Sequence, residues 1–152
     1  MSKYVWISLL CLSATSCGKY VAPYKDVELS LIATQFEVDT GVKTESITMR
    51  FNALDKSIMG ICYTYDDDSK EIQINDAYWD KLNDVGRTQL MYHELGHCAM
   101  NLKHDETIVH TPDGQPLWGS IMYPVYFGYS PMFKLYEKKY IEALKNKTVI
   151  SF

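Results

Sequence analysis

The sequence predicts a small α/β protein of the α+β kind, folded as one domain, with helices on both sides of a short run of strands. Two patterns and the composition predict it. Apolar residues recur at three and four places near residues 26–38, 85–100 and 131–146, which is helical spacing. Between them, three segments from residue 47 to residue 75 alternate apolar and polar as strands do. A chain of 152 residues, 47% hydrophobic and 22% charged, has enough apolar material for one core.

At the start, Lys3 precedes the apolar run Tyr4 to Leu12 and the small residues Ser13 to Ser16. Such a run is too short to cross a bilayer as a helix and reads as a secretory signal over residues 1–16. Ala14-Thr15-Ser16-Cys17-Gly18 resembles the lipobox of bacterial lipoproteins, which implies a lipid on Cys17 and attachment to a bacterial envelope membrane. Ordinary cleavage near the same place, giving a secreted protein, is the alternative. Residues 17–24 then form a tether and residues 25–152 the folded domain.

From Asp26, the positions Val27, Leu31, Ile32 and Phe36 mark the buried face of a first helix, which Gly41 closes in a left-handed cap. Ile47 to Phe51 and Gly60 to Tyr65 read as strands. Asp66-Asp67-Asp68-Ser69 is a solvated turn, since it lacks the spacing and glycine of a calcium loop. Glu71 to Asn75 is a third strand, and Asp76 caps a helical turn through Trp79 and Leu82. A long helix follows from about Val85. After His104 the turn residues Thr111-Pro112-Asp113-Gly114 and repeated Gly and Pro predict a loop. A last helix from Pro131 to Asn146 is expected to bury Met132, Leu135, Tyr136, Tyr140, Ile141 and Leu144.

The long helix carries His93-Glu94-Leu95-Gly96-His97. Two imidazoles four residues apart share one helix face and can grip one Zn²⁺, with Glu94 between them as a base for the metal's water. A catalytic zinc keeps three protein ligands and an open fourth position. His104 is the leading third ligand, because Asn101 tolerates the left-handed turn that would bring the chain back. His110, Asp105 and Glu106 are its rivals.

Ser120-Ile121-Met122-Tyr123-Pro124, with Met122 eighteen residues beyond His104, resembles the methionine turn of metzincin metallopeptidases in its matrixin form. Astacins share Ser-Ile-Met but place a tyrosine where this chain has Pro124. The chain also has one residue more than the metzincin motif between the second and third histidines, with Asn101 where that family has glycine. The resemblance implies a twisted, mostly parallel sheet with an antiparallel edge strand, formed by Glu71 to Asn75, along which an extended peptide can bind. It also implies that Met122 floors the site without ligating.

The function expected is a zinc endopeptidase in which His93, His97 and His104 hold the ion and Glu94 moves the proton. A zinc-binding exported protein without turnover and a zinc amidase of cell-wall peptides are the alternatives. With Cys11 in the signal and Cys17 lipidated, Cys62 and Cys98 remain as a disulfide pair or as two buried thiols. Removing residues 1–16 takes away one lysine and no acid, so the net charge moves from −4 to −5. A mildly acidic domain without a basic stripe gives no reason to expect nucleic acid, and the partners expected are a protein or peptide substrate and, through the lipid, a membrane. The domain is expected to be a monomer.

Overall fold

The computed structural model describes residues 23–125 and 131–152. The expected signal, Cys17 and most of the expected tether lie outside the described residues.

The first helix, α1 (Val27–Thr40), starts where Asp26 accepts a bond from the Glu28 N–H at 3.0 Å and stops at Gly41, whose φ of 77° only glycine adopts at little cost. Its inward face is Leu29, Ala33, Phe36 and Thr40. Phe36 meets that expectation, whereas Val27 and Leu31, expected inside, are 76% and 68% exposed. Apolar residues occupy both sides of this helix, so spacing gives the period and leaves the phase open. Contacts made elsewhere set the phase. Phe36 packs edge-on against Tyr92 with ring centroids 5.2 Å apart, and the Tyr92 hydroxyl donates to Asp39 at 2.6 Å.

Three strands follow: β1 (Ile47–Asn52), β2 (Gly60–Thr64) and β3 (Lys70–Asn75). Their order in the mixed sheet is β1-β3-β2, with β3 parallel to β1 and antiparallel to β2. The antiparallel edge strand is therefore β2, not the segment Glu71 to Asn75, which is central. The alternation misleads because this central strand carries polar residues on one face. Ile72 and Ile74 are fully buried on the other, while Glu71 is held by Arg50 at 3.0 Å and the Asn75 amide donates to the Ile58 carbonyl at 2.8 Å. Asp66 to Ser69 form the turn joining β2 to β3, closed by Tyr65 N–H donating to the Ser69 carbonyl at 2.9 Å.

A short helix α2 (Asp76–Trp79) leads into α3 (Asp84–Met100), whose N-cap is Asn83 accepting from Gly86 N–H at 3.0 Å. Helix α3 packs against β2, β3 and α1. Cys62 on β2 and Cys98 on α3 form a disulfide that fastens the edge strand to the helix. A hairpin, β4 (Ile108–His110) and β5 (Pro116–Trp118), occupies what reads in the sequence as loop. The turn at Thr111 to Gly114 is there, with Gly114 at φ 84°, but strands of three residues are too short to show a period.

The final helix α4 (Pro131–Asn146) has non-helical angles at Tyr136. Tyr140 and Leu144 are buried as expected, but Phe133 and Ala143 join them and Leu135 is 67% exposed. The break at Tyr136 shifts the phase between the two halves, so one helical stripe does not fit both. Among the described residues no helix is long and apolar enough to cross a membrane.

Candidate metal centre

His93 and His97 project from one face of α3, as their spacing requires. The helix then ends by a local device: Asn101 adopts φ 56° and ψ 32°, and the Leu102 N–H reaches back to the Gly96 carbonyl at 3.0 Å. Lys70 holds that end from the sheet, donating to the Cys98 carbonyl and to the Asn101 side chain at 2.7 Å each. The extra residue is absorbed by a helix running through Met100 before it turns. From Asn101 the chain doubles back and brings His104 to the same point.

The three rings converge. Nε2 of His93 lies 3.1 Å from Nε2 of His97 and 3.2 Å from Nε2 of His104. Nitrogens bound tetrahedrally to one ion at 2.0–2.1 Å would stand about 3.3 Å apart, which these two spacings match, and all three ligand atoms lie within 4.8 Å of one another. His93, His97 and His104 are the group of potential ligands found here among the described residues; His110, on the exposed β4 strand, is not with them, nor are Asp105 and Glu106.

Two backbone carbonyls orient the rings. Nδ1 of His93 bonds Ile121 O at 2.8 Å, and Nδ1 of His97 bonds Leu102 O at 2.7 Å. A carbonyl can only accept, so each Nδ1 carries the proton and each Nε2 keeps its lone pair for the metal. Burial pushes the His93 pKa down to about 4, and burial lowers that of His97 too. Neutral imidazole is the form that binds metal.

Ser120 to Tyr123 form a turn beneath this centre. The Ser120 hydroxyl accepts from the Met122 N–H at 3.1 Å, Ile121 O holds the His93 ring, and Met122 O accepts from the Asp105 N–H at 2.9 Å, next to His104. Met122 is 2% exposed and its sulfur lies against Gly96, where any Cβ would collide with it. One turn thus holds the His93 ring and the segment of His104, and packs under the helix at Gly96, between His93 and His97.

Glu94 faces the sheet. It is 4% exposed, and burial pushes its pKa up to about 8. Gly60, at the start of β2, makes room for it: a Cβ there would lie 2.8 Å from Glu94 Oε1 and 2.9 Å from its Cγ. A cavity of about 1050 Å³ opens over Glu94, the three histidines and the β2 strand. A carboxyl beside three metal-spaced imidazoles at the wall of an open cleft can exchange a proton with water held there.

Sequence reasoning missed Gly60, Lys70 and the two ring-orienting carbonyls. Nothing in a single sequence marks a backbone carbonyl, and Gly60 reads only as the first residue of a strand.

The chain matches the model of the family described as "Putative phage metallopeptidase" over residues 40–122, more than half its length. It belongs to this phage metallopeptidase family. The matched segment starts at the end of α1 and closes on Met122, so it takes in the sheet, α3, all three histidines and most of the turn beneath them. No curated protein and no solved structure matches the chain. For a metallopeptidase of this family, the convergent histidines are the residues that fit a metal ion.

Proposed function

We propose that this chain is a zinc-dependent endopeptidase of metzincin type, with His93, His97 and His104 as the metal ligands and Glu94 as the general base. The observation that carries the reading is the convergence of three imidazole nitrogens beside a buried carboxyl, in a cleft open to a substrate. Three histidines are the donor set of a catalytic zinc, whereas structural zinc sites close with a fourth protein ligand. Bound there, zinc supplies a Lewis acid and lowers the pKa of its water to about 7.

The chain's own groups do the rest. Nδ1–H of His93 and of His97 stay on their carbonyls and keep both rings aimed. Glu94 takes a proton from the attacking water on a carboxylate oxygen and hands it to the departing amine nitrogen. Its site on the cavity wall, held open by Gly60, keeps that oxygen at the cleft. The free edge of β2 offers backbone groups to an extended peptide, which adds as another strand across the metal. Met122 supports the ligands from below without binding the ion.

We read the chain as exported and lipid-anchored through Cys17, and the Cys62–Cys98 disulfide supports an oxidising compartment. Metabolic labelling with a radioactive fatty acid, lost in Cys17→Ala, tests the anchor. The catalytic reading is tested by metal analysis and a peptide-library digest. Glu94→Gln should keep one equivalent of zinc and lose cleavage by at least about a hundredfold. His104→Ala should lose zinc and His110→Ala should not. Near wild-type cleavage by Glu94→Gln would refute the reading.

A further inference from the structure

The outer face of α1 is used neither by the core nor by the mechanism above. A helix on a protein surface ordinarily turns apolar residues inward and polar ones to water. Helix α1 does the first with Leu29, Ala33 and Phe36, but not the second. Val27, Leu31 and Val38, four and seven places apart, are 76%, 68% and 73% exposed. Those intervals put the three in one stripe, about 16 Å long at 1.5 Å of rise per residue. Tyr24, 62% exposed, stands just ahead of it.

The polar neighbours of the stripe have partners within the protein. Thr34, on the same face, donates its hydroxyl to the Ser30 carbonyl at 2.9 Å, and the Gln35 amide donates to Asp39 at 3.0 Å. The flanking acids are held as well: Glu28 pairs with Arg87 at 2.7 Å, and Glu37 accepts from the Thr44 hydroxyl at 2.6 Å. The stripe itself carries no charge, so what covers it is bound by apolar burial.

The course of the chain points to the occupant. Tyr24 and Asp26 are fixed to β1, with the Met49 N–H donating to the Tyr24 carbonyl and the Asp26 N–H to the Met49 carbonyl, at 2.9 Å each. Seven residues separate Cys17 from Tyr24, a reach of at most about 25 Å. A lipid on Cys17 therefore holds a bilayer close to the N-terminal end of the stripe. A second copy of the chain fits less well, because a stable dimer buries roughly 800 Å² and about 20–30 residues a side, and the stripe with Tyr24 supplies four.

We propose that the outer face of α1, formed by Val27, Leu31 and Val38 with Tyr24 at its head, lies on the bilayer that holds the lipid anchor, its apolar side chains entering the headgroup boundary. This rests on the reading of Cys17 as lipidated. The anchor supplies the affinity, and by keeping the bilayer near it engages a stripe too small to bind alone. The stripe supplies orientation, which a single point of attachment does not. Because α3 packs on α1, a seated α1 sets the histidine-bearing helix relative to the surface.

The test couples the mature chain, residues 17–152, through the Cys17 thiol to a maleimide phospholipid in phosphatidylcholine vesicles, which supplies the anchor whether or not cells do. Cys62 and Cys98 are bonded to each other and do not compete. Leu31→Trp puts a reporter in the stripe, and Leu135→Trp puts one on α4, at a position 67% exposed, as the control. Brominated phosphatidylcholine quenches an indole that enters the bilayer, and the wild-type protein gives the background from Trp79 and Trp118. Quenching of the Leu31→Trp reporter should exceed that of the control at least about threefold and should not require anionic lipid. Adding Val27→Asp and Val38→Asp should bring it down to the control; both positions are exposed, so Tm should not change.

Equal quenching at the two positions would overturn the proposal. So would burial of the Leu31→Trp reporter that appears without vesicles and rises with protein concentration, which would assign the stripe to a second copy. Selective quenching in the coupled protein, with no fatty acid on Cys17 in cells, would count against the lipid reading and leave the face as a bilayer-docking surface. Fatty acid on Cys17 without selective quenching would overturn the role of the face alone.

Discussion

The buried carboxyl of Glu94 makes the metal-free protein respond to pH in the opposite sense from most proteins. Its pKa is raised from 4.5 in the free state to about 8 by burial. Between those values the folded protein holds a proton that the unfolded chain has lost, so stability falls as pH rises. From pH 6.5 to pH 8 the linkage integrates to about 1.5 kcal/mol of lost stability from this one group. His93 and His97 act the other way, because their lowered pKa values mean that the unfolded chain binds the extra protons below about pH 6.5. Glu94→Gln keeps the histidines and removes the carboxyl, so the difference between the two proteins isolates the Glu94 contribution. The assay is urea unfolding in the presence of a chelator at pH 6.5, 7.25 and 8, following the midpoint for wild type and variant. The wild-type midpoint should fall relative to Glu94→Gln by the equivalent of about 1.5 kcal/mol across the range. Parallel curves, or a wild type that gains on the variant with rising pH, would mean that Glu94 is already ionised in the folded state and would refute the argument from burial.

Three further outcomes follow from the same geometry. Breaking the Cys62–Cys98 bond, which spans 36 residues of chain, should cost about 4 kcal/mol by loop-closure entropy; comparing melting of the native protein with Cys62→Ser/Cys98→Ser reads it, and a loss below about 1 kcal/mol would show that packing alone holds β2 to α3. Gly60→Ala should lower kcat/KM about a hundredfold while metal stoichiometry stays at one, because the added methyl displaces Glu94 and touches no ligand; unchanged kinetics would mean that Glu94 tolerates the shift. Asn101→Gly should be nearly neutral, whereas Asn101→Val should cost at least 1–2 kcal/mol, roughly the penalty for a left-handed backbone at φ 56°, and should weaken zinc binding as His104 is displaced. Equal stability of those two variants would separate the αL turn from the metal site.

How much of this was legible in the sequence depends on whether a feature is local. Asn101 and Gly41 were readable as left-handed caps because the backbone angle is a property of one residue, and the two helical histidines because four residues fix their shared face. The strand order was not readable. Whether Glu71 to Asn75 is an edge or a centre depends on which strands pair with it, and its polar face gives it an edge strand's alternation while Arg50 and the loop before β2 satisfy its buried groups. The phase of α1 escaped for a related reason, since Leu31 and Phe36 are equally apolar and only Tyr92, more than fifty residues away, selects between them. The candidate metal centre shows both cases together. Its histidines and Glu94 carry side chains that announce their chemistry, while the features that place them, Ile121 O, Leu102 O and the space above Gly60, have no side-chain signature at all. Ser120 to Pro124 is the informative exception. A methionine turn reads as a side-chain motif, yet what it contributes here is mostly backbone: one carbonyl to His93, one to the segment of His104, and a sulfur beneath Gly96. Replacing Met122 by leucine should therefore preserve metal binding better than any insertion into the turn, because an insertion moves both carbonyls and the substitution moves neither.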